Sequence, residues 1–209
     1  MPEPSVQEVK VHTLYHFVAV SLVVLLVVGY QARVQHLASV RDGYANRITS
    51  YTSLRENAVE LASTTTLLGT IEPLREHADD TEAVAHRAKG LLKANSQLLG
   101  EIQKAQQPDS IELQLVPQLV ESHAALARVT ERHLLVQDGH LQNPLVRHLE
   151  LQSALDKVLV LARNQELRLR SRSSEVSAEL AQTSLIFNIL ISASLLIESF
   201  LLFFPMTRR

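Results

Sequence analysis

Two apolar runs, one near each end, limit what this chain can become more than any other feature. "LYHFVAVSLVVLLVVGY" occupies residues 14–30 and "LIFNILISASLLIESFLLFF" occupies 185–204. As α-helices rising about 1.5 Å per residue they are about 25 and 30 Å long, close to the hydrocarbon thickness of a bilayer. A signal peptide is one other use for the first run. The segment before it, "MPEPSVQEVK", carries two Glu against one Lys, however, and no A-x-A cleavage site follows. A second alternative is a pair of buried core helices in a soluble protein. The reading adopted is two retained transmembrane helices, which makes the lipid bilayer the first expected partner.

Two spans divide the chain into a tail (1–13), a first span (14–30), a domain (31–184), a second span (185–204) and a short junction (205–209). The termini then share one side and the domain takes the other. Flanking charge does not decide between the sides. Lys10, Arg208 and Arg209 lie on the terminal side, and Arg33, Arg41, Arg168, Arg170 and Arg172 on the domain side. Such bias orients short loops, whereas long domains translocate largely regardless of it. The expected placement is a bacterial inner membrane, with the termini in the cytoplasm and the domain in the periplasm.

Composition points to helices. Apolar residues make up 46% of the 209, yet aromatics are only 4% and Trp is absent. Leu, Val and Ala therefore carry the hydrophobicity, which favours helices over a sheet rich in aromatics and turns. The absence of Cys excludes a disulfide framework, a zinc–thiolate site and a Cys nucleophile. A net charge of -2 gives no basic excess for nucleic acid.

Between the runs, apolar positions recur in threes and fours. Leu37, Val40, Tyr44, Tyr51, Leu54, Ala58, Leu61 and Leu68 form a first stripe, with Arg47 and Thr65 filling its gaps. "GTIEP" at 69–73 breaks it, and Pro73 suits the first turn of a second helix. That helix carries Val84, Ala88, Leu91, Leu98, Ile102 and Ala105 and ends at "QQPDS". Ser110, or the residue before Pro117, starts a third, with Val120, Ala124, Ala127 and Leu134. Asn143 is placed to cap, and Pro144 to begin, a fourth with Leu151, Leu155, Val158, Ala162, Leu169, Val176 and Leu180. The expected fold is all-α: an antiparallel up-down-up-down four-helix bundle flanked by two transmembrane helices.

Enzyme signatures are missing. The sequence has no Gly-rich phosphate loop, no G-x-S-x-G and no H-E-x-x-H, so neither catalysis nor a cofactor is expected. His133, His140 and His148 invite a metal reading, but spacings of seven and eight residues across a loop match no ligand pattern. Exposed histidines are the simpler account. Asp79, Asp80 and Glu82 read as favourable charge near the start of the second helix rather than as a site.

The first long helix carries more information. In "YANRITSYTSLRENAVELA", Arg47 falls on the apolar stripe and Arg55 falls beside Leu54, so both guanidiniums border one packing seam. Arginine in that place can run along the bundle surface or pair with a neighbouring Glu. Two such arginines brought together in a symmetric dimer repel unless an anion lies between them. The planar guanidinium suits that task because it offers an oxyanion two parallel hydrogen bonds.

"ITSYTSLRENAVEL" also resembles the first-helix motif of the nitrate/nitrite sensor kinases, roughly I-N-x-A-G-S-L-R-M-Q-S-Y-R-L. Ile48, Ser53, Leu54, Arg55 and Leu61 match. Thr49 and Thr52 replace the Asn and Gly, and Glu56-Asn57 replaces Met-Gln, within a match of about fourteen residues. The same bundle class includes the sensor region of type IV pilus chemotaxis transducers, whose G-R-Q-R-M motif is not found here. The resemblance implies a homodimer with an anion site at the subunit interface. Arg55 would then be the principal ligand, with Ser53, Arg47 and Thr52 beside it.

The second run resembles the last membrane helix of such receptors, where it leads into a HAMP-type or kinase linker. Glu198, Phe204, Pro205, Arg208 and Arg209 fit that pattern. Glu198, Pro205 and Arg208 are accordingly the expected transmission residues. A carboxylate this far inside a span is costly unless it meets a partner helix or the headgroups. Pro205, lacking an N–H, is expected to bend or end the helix at the membrane surface.

The functional expectation is a two-span sensor that binds a small anion and passes a helix displacement inward to a cytoplasmic signalling partner. With no transmitter after Arg209, it is expected to be the sensor piece of a longer receptor or a relative that works through another protein. The alternative is a membrane scaffold whose helical bundle binds no small ligand.

Overall fold

The computed structural model describes residues 6–71, 78–104, 112–135 and 144–207, and all of them are helical. The four helices are α1 (Val6–Ile71), α2 (Ala78–Lys104), α3 (Glu112–Leu135) and α4 (Pro144–Thr207). No strand occurs among the described residues.

Most helix limits follow local rules. α1 contains no proline, and it carries the helix through Gly69 and Thr70 to Ile71, past the break expected at 69. α4 begins on Pro144, whose missing N–H costs nothing at a helix's first position. Pro73, the expected start of α2, lies outside the described residues.

Of the two starts open for α3, the helix begins near the first, Ser110, which lies outside the described residues, and the start beside Pro117 and the stop at Pro205 need correction. α3 starts at Glu112 and holds Pro117 inside it. The ring forfeits one hydrogen bond early in the helix, while Val116 and Leu119 beside it are fully buried and hold the turn. Pro205 likewise neither stops α4 nor marks its end, because the helix continues to Thr207. So near the C-terminus a proline removes one backbone bond and leaves the carbonyls after it as unpaired as any helix end leaves them. Arg208 lies outside the described residues, and so do the side chains of 201–207.

The chain forms two compact units, Met1–Gly43 with Ser173–Arg209, and Tyr44–Arg172. The second unit has one continuous apolar core to which all four helices contribute. Its inward positions alternate in steps of three and four on every helix. α1 supplies Arg47, Tyr51, Leu54, Ala58, Leu61 and Thr65, and α2 supplies Ala88, Leu92, Asn95, Leu99 and Ile102. α3 supplies Val116, Leu119, His123, Leu126 and Thr130, and α4 supplies Leu151, Leu155, Val158, Ala162, Gln165 and Leu169. This is the 3.5-residue period of heptad packing. Each fully buried Leu contributes about 1.5–3 kcal/mol, so the aliphatic members dominate the energetics of this core.

The first unit is built differently. α1 and α4 each contain a window long and apolar enough to cross a membrane, and no residue in either window is buried. Phe17, Leu25 and Leu196 are each more than 70% exposed. Core helices of a soluble protein would show the opposite. Contacts between the two helices in this unit include an aromatic stack, a hydroxyl pair and an ion pair. The Tyr30 ring stacks on Phe187 with centroids 3.8 Å apart, the Tyr30 hydroxyl lies 3.1 Å from Ser184 Oγ, and Arg33 pairs with Glu179.

Candidate functional site

The middle of α1 turns many polar groups onto its own backbone. Thr49 and Ser50 donate to the carbonyls of Ala45 and Asn46 at 3.0 and 3.2 Å. Thr52 and Ser53 are half-buried. Arg47 sits on the inward stripe, only 9% exposed, with its guanidinium 5.4 Å from the Tyr44 ring centroid. That distance is within cation–π range, so Arg47 is held by the unit's interior rather than presented outward.

Arg55 stands apart. Its Nη1 lies 3.0 Å from Glu166 Oε2 on α4, which is the ion-pair role open to it from the sequence. Glu166 Oε1 accepts a hydrogen bond from Arg170 Nη2 at 2.6 Å, one helical turn along, whereas the Arg55 contact is an ion pair without hydrogen-bond geometry. The carboxylate side chain is 5% exposed, whereas Arg55 and Arg170 are 37% and 59% exposed. A buried carboxylate is tolerable only when paired, and here two guanidiniums supply that pairing from its open side. Two cations around one anion leave a net charge of +1 at the surface. The geometry therefore holds one carboxylate internally between two guanidiniums.

The structure thus brings Arg55 to Glu166 and Arg170, neither of which is among the ligand residues expected from the sequence. Only the Glu166–Arg170 half of the cluster was findable, because Glu166 sits one residue after a stripe position and four before Arg170 in "QELRLR". The expected transmission residues divide similarly. Glu198 is half-buried in the apolar part of α4, Pro205 lies in the last turns of that helix, and Arg208 is outside the described residues. The Tyr30, Phe187, Ser184, Arg33 and Glu179 contacts were not anticipated. Their signal was the placing of aromatics and charges at the inner ends of the two runs, where membrane helices anchor.

Other features offer less chemistry. An open groove of about 900 Å³ runs between α3 and α4, lined by Gln118, Glu121, Asp156, Lys157 and Val160 among others. None of the expected ligand residues lines it. Among the described residues no three His, Asp or Glu side chains are grouped to hold a metal ion. No known family, curated protein or solved structure matches the chain.

Proposed function

We propose that the chain is a membrane-anchored sensor of a small anion. In this reading α1 and α4 cross the bilayer, and the helical unit is an antiparallel up-down-up-down bundle that pairs with a second copy of the chain. Two features support it: the unburied apolar windows on α1 and α4, and the contribution of both helices to both units. Anion binding biases two arrangements of α1 and α4, and the second span carries the shift to a cytoplasmic partner.

The observation that carries the ligand is the Arg55–Glu166–Arg170 cluster. The buried carboxylate pre-positions the Arg55 guanidinium, and the residual positive charge selects an anion. Glu166 is then an internal competitor for both arginines. The test is thermal unfolding of the full chain in detergent with nitrate, nitrite and small carboxylates. At least one anion should raise the unfolding midpoint, by up to about 2.7 kcal/mol of stabilisation at a hundredfold excess over Kd. Arg55→Ala should abolish the response, and Glu166→Gln should shift it to lower anion concentration. The assignment fails if no anion stabilises either the wild type or Glu166→Gln.

One observation favours a scaffold without a ligand: Arg55 already has an anionic partner in Glu166. That reading predicts no anion response in any variant, and loss of stability when either partner is removed.

A further inference from the structure

We propose that α4 carries a second helix-pairing seam within its apolar part, and that the seam is filled by α4 of a second copy of this chain. The inference rests on the membrane-spanning, self-pairing reading given above. In the first unit, half-buried positions of α4 recur as Leu180, Thr183, Phe187, Ile191 and Ser194, in steps of three and four. This is the face that meets α1, since Phe187 stacks on Tyr30. A second set, Ala178, Ala181, Leu185, Asn188, Ser192 and Leu195, alternates in threes and fours without a miss, and every member is exposed. The chain itself uses one face of the helix and leaves the other uncovered.

Lipid does not account for the composition of that second face. The arc beside it is bulky and apolar, with Ile186, Ile189, Leu196 and Phe200 all exposed, as acyl chains require. Asn188 lies in the middle of the apolar run, yet its side chain is exposed rather than packed on α1. A serine hydroxyl can bond back to the carbonyl one turn earlier, as Ser177 does to Ser173 at 2.9 Å. An Asn amide has two donor hydrogens and a carbonyl oxygen to satisfy, and hydrocarbon supplies no partner for either. Polar side chains at this depth are satisfied across helix–helix contacts.

Self-complementarity selects the second copy as the occupant. An amide both donates and accepts, so two Asn188 side chains across a two-fold axis satisfy each other. Copies inserted the same way are parallel, and a sustained 3.5-residue repeat is the pattern of parallel helices that supercoil. Ala178, Ala181 and Ser192 let the two backbones approach closely, and Leu185 and Leu195 fill the space between them. A symmetric parallel pair sets each seam residue against its own copy, so a charge on the seam would face a like charge. None of the six is charged. The nearby carboxylates Glu175 and Glu179 lie off the seam, and Glu179 is paired with Arg33. A single polar Asn at such a position also fixes register, because any slip separates the two amides.

The test uses the full chain, in which an introduced cysteine is unique because none is native. In the membranes of an expression host, oxidation should link Ala181→Cys, Leu185→Cys and Ser192→Cys into disulfide dimers. Ile186→Cys and Ala193→Cys on the lipid arc, and Ser194→Cys on the α1 face, should stay monomeric. Stronger linkage at those three positions, or none at any position, would overturn the seam. In detergent, sedimentation equilibrium should show Asn188→Leu dissociating about five- to thirtyfold more readily than the wild type. Asn188→Gln, which keeps the amide, should recover most of that loss. An unchanged dimer constant in Asn188→Leu would overturn the pairing of the amides, and the substitution leaves the span more apolar, so the helix itself is not at risk. The anion response of Arg55 is a separate readout. Seam crosslinks without an anion response would uphold this proposal and sink the sensor, and an anion response without the crosslinks would do the reverse.

Discussion

Burial lowers the pKa of His123 below its ordinary value of 6.5, because an imidazolium inside the core would lose its hydration. The unfolded chain therefore binds a proton near pH 6.5 that the folded chain refuses until the pH is lower. Between those two values the unfolded state holds more protons, so stability rises with pH there and falls as the solution is acidified. Above the ordinary value this group contributes no pH dependence. Unfolding midpoints taken from about pH 7 down to about pH 5 should fall, and His123→Gln should flatten part of that fall. An unchanged slope in the variant would mean that other groups carry it. At this scale the legible part was Arg55, whose place beside Leu54 on the stripe marked it as a seam-bordering cation. Glu166 was not legible as its partner, because the contact joins residues 111 apart in sequence and depends on the register of two helices. Periodicity assigns a face to each helix and leaves the height between helices free.

The helices show how far local rules reach. The stripes were visible because Leu and Ala recur in threes and fours, and Asn143-Pro144 marked the start of α4. Of the two starts open for α3, the one beside Pro117 lost to the one near Ser110, and Pro205 did not end α4; at both prolines a local preference met opposing context. Burial of Val116 and Leu119 outweighs one lost hydrogen bond, and a helix end has few bonds left to lose. Two substitutions test the energetics of these elements. Leu54 is fully buried in α1, so Leu54→Ala should cost about 2–5 kcal/mol through lost transfer energy and a residual cavity. Gly90 is an exposed interior residue of α2, and a Cβ added there meets nothing within 4 Å. Gly90→Ala should therefore raise stability by about 0.5–1 kcal/mol, because alanine loses less backbone freedom on folding. Thermal or chemical unfolding of the full chain measures both. A destabilised Gly90→Ala would mean that a glycine is needed there for a reason the helix geometry does not contain.

For the whole molecule, the two compact units differ in what covers their apolar side chains. In Tyr44–Arg172 the protein covers them, and in the other unit the windows of α1 and α4 are uncovered. Uncovered windows of this length call for lipid. The sequence showed the windows, through their length and their near lack of charge, but not the side on which the helical unit lies, since flanking arginines and lysines occur at both edges. The absence of native cysteine makes that question easy to pose. Ser5→Cys in the tail and Gln97→Cys on the exposed face of α2 each give a unique thiol. In intact spheroplasts a membrane-impermeant maleimide should label Gln97→Cys and spare Ser5→Cys, and inverted vesicles should reverse the pattern. Two spans place residues 5 and 97 on opposite faces whichever way the chain inserts, so reversed labelling would flip the orientation and leave the two-span reading standing. Labelling of both positions from one face alone would overturn it, because an odd number of crossings must lie between them.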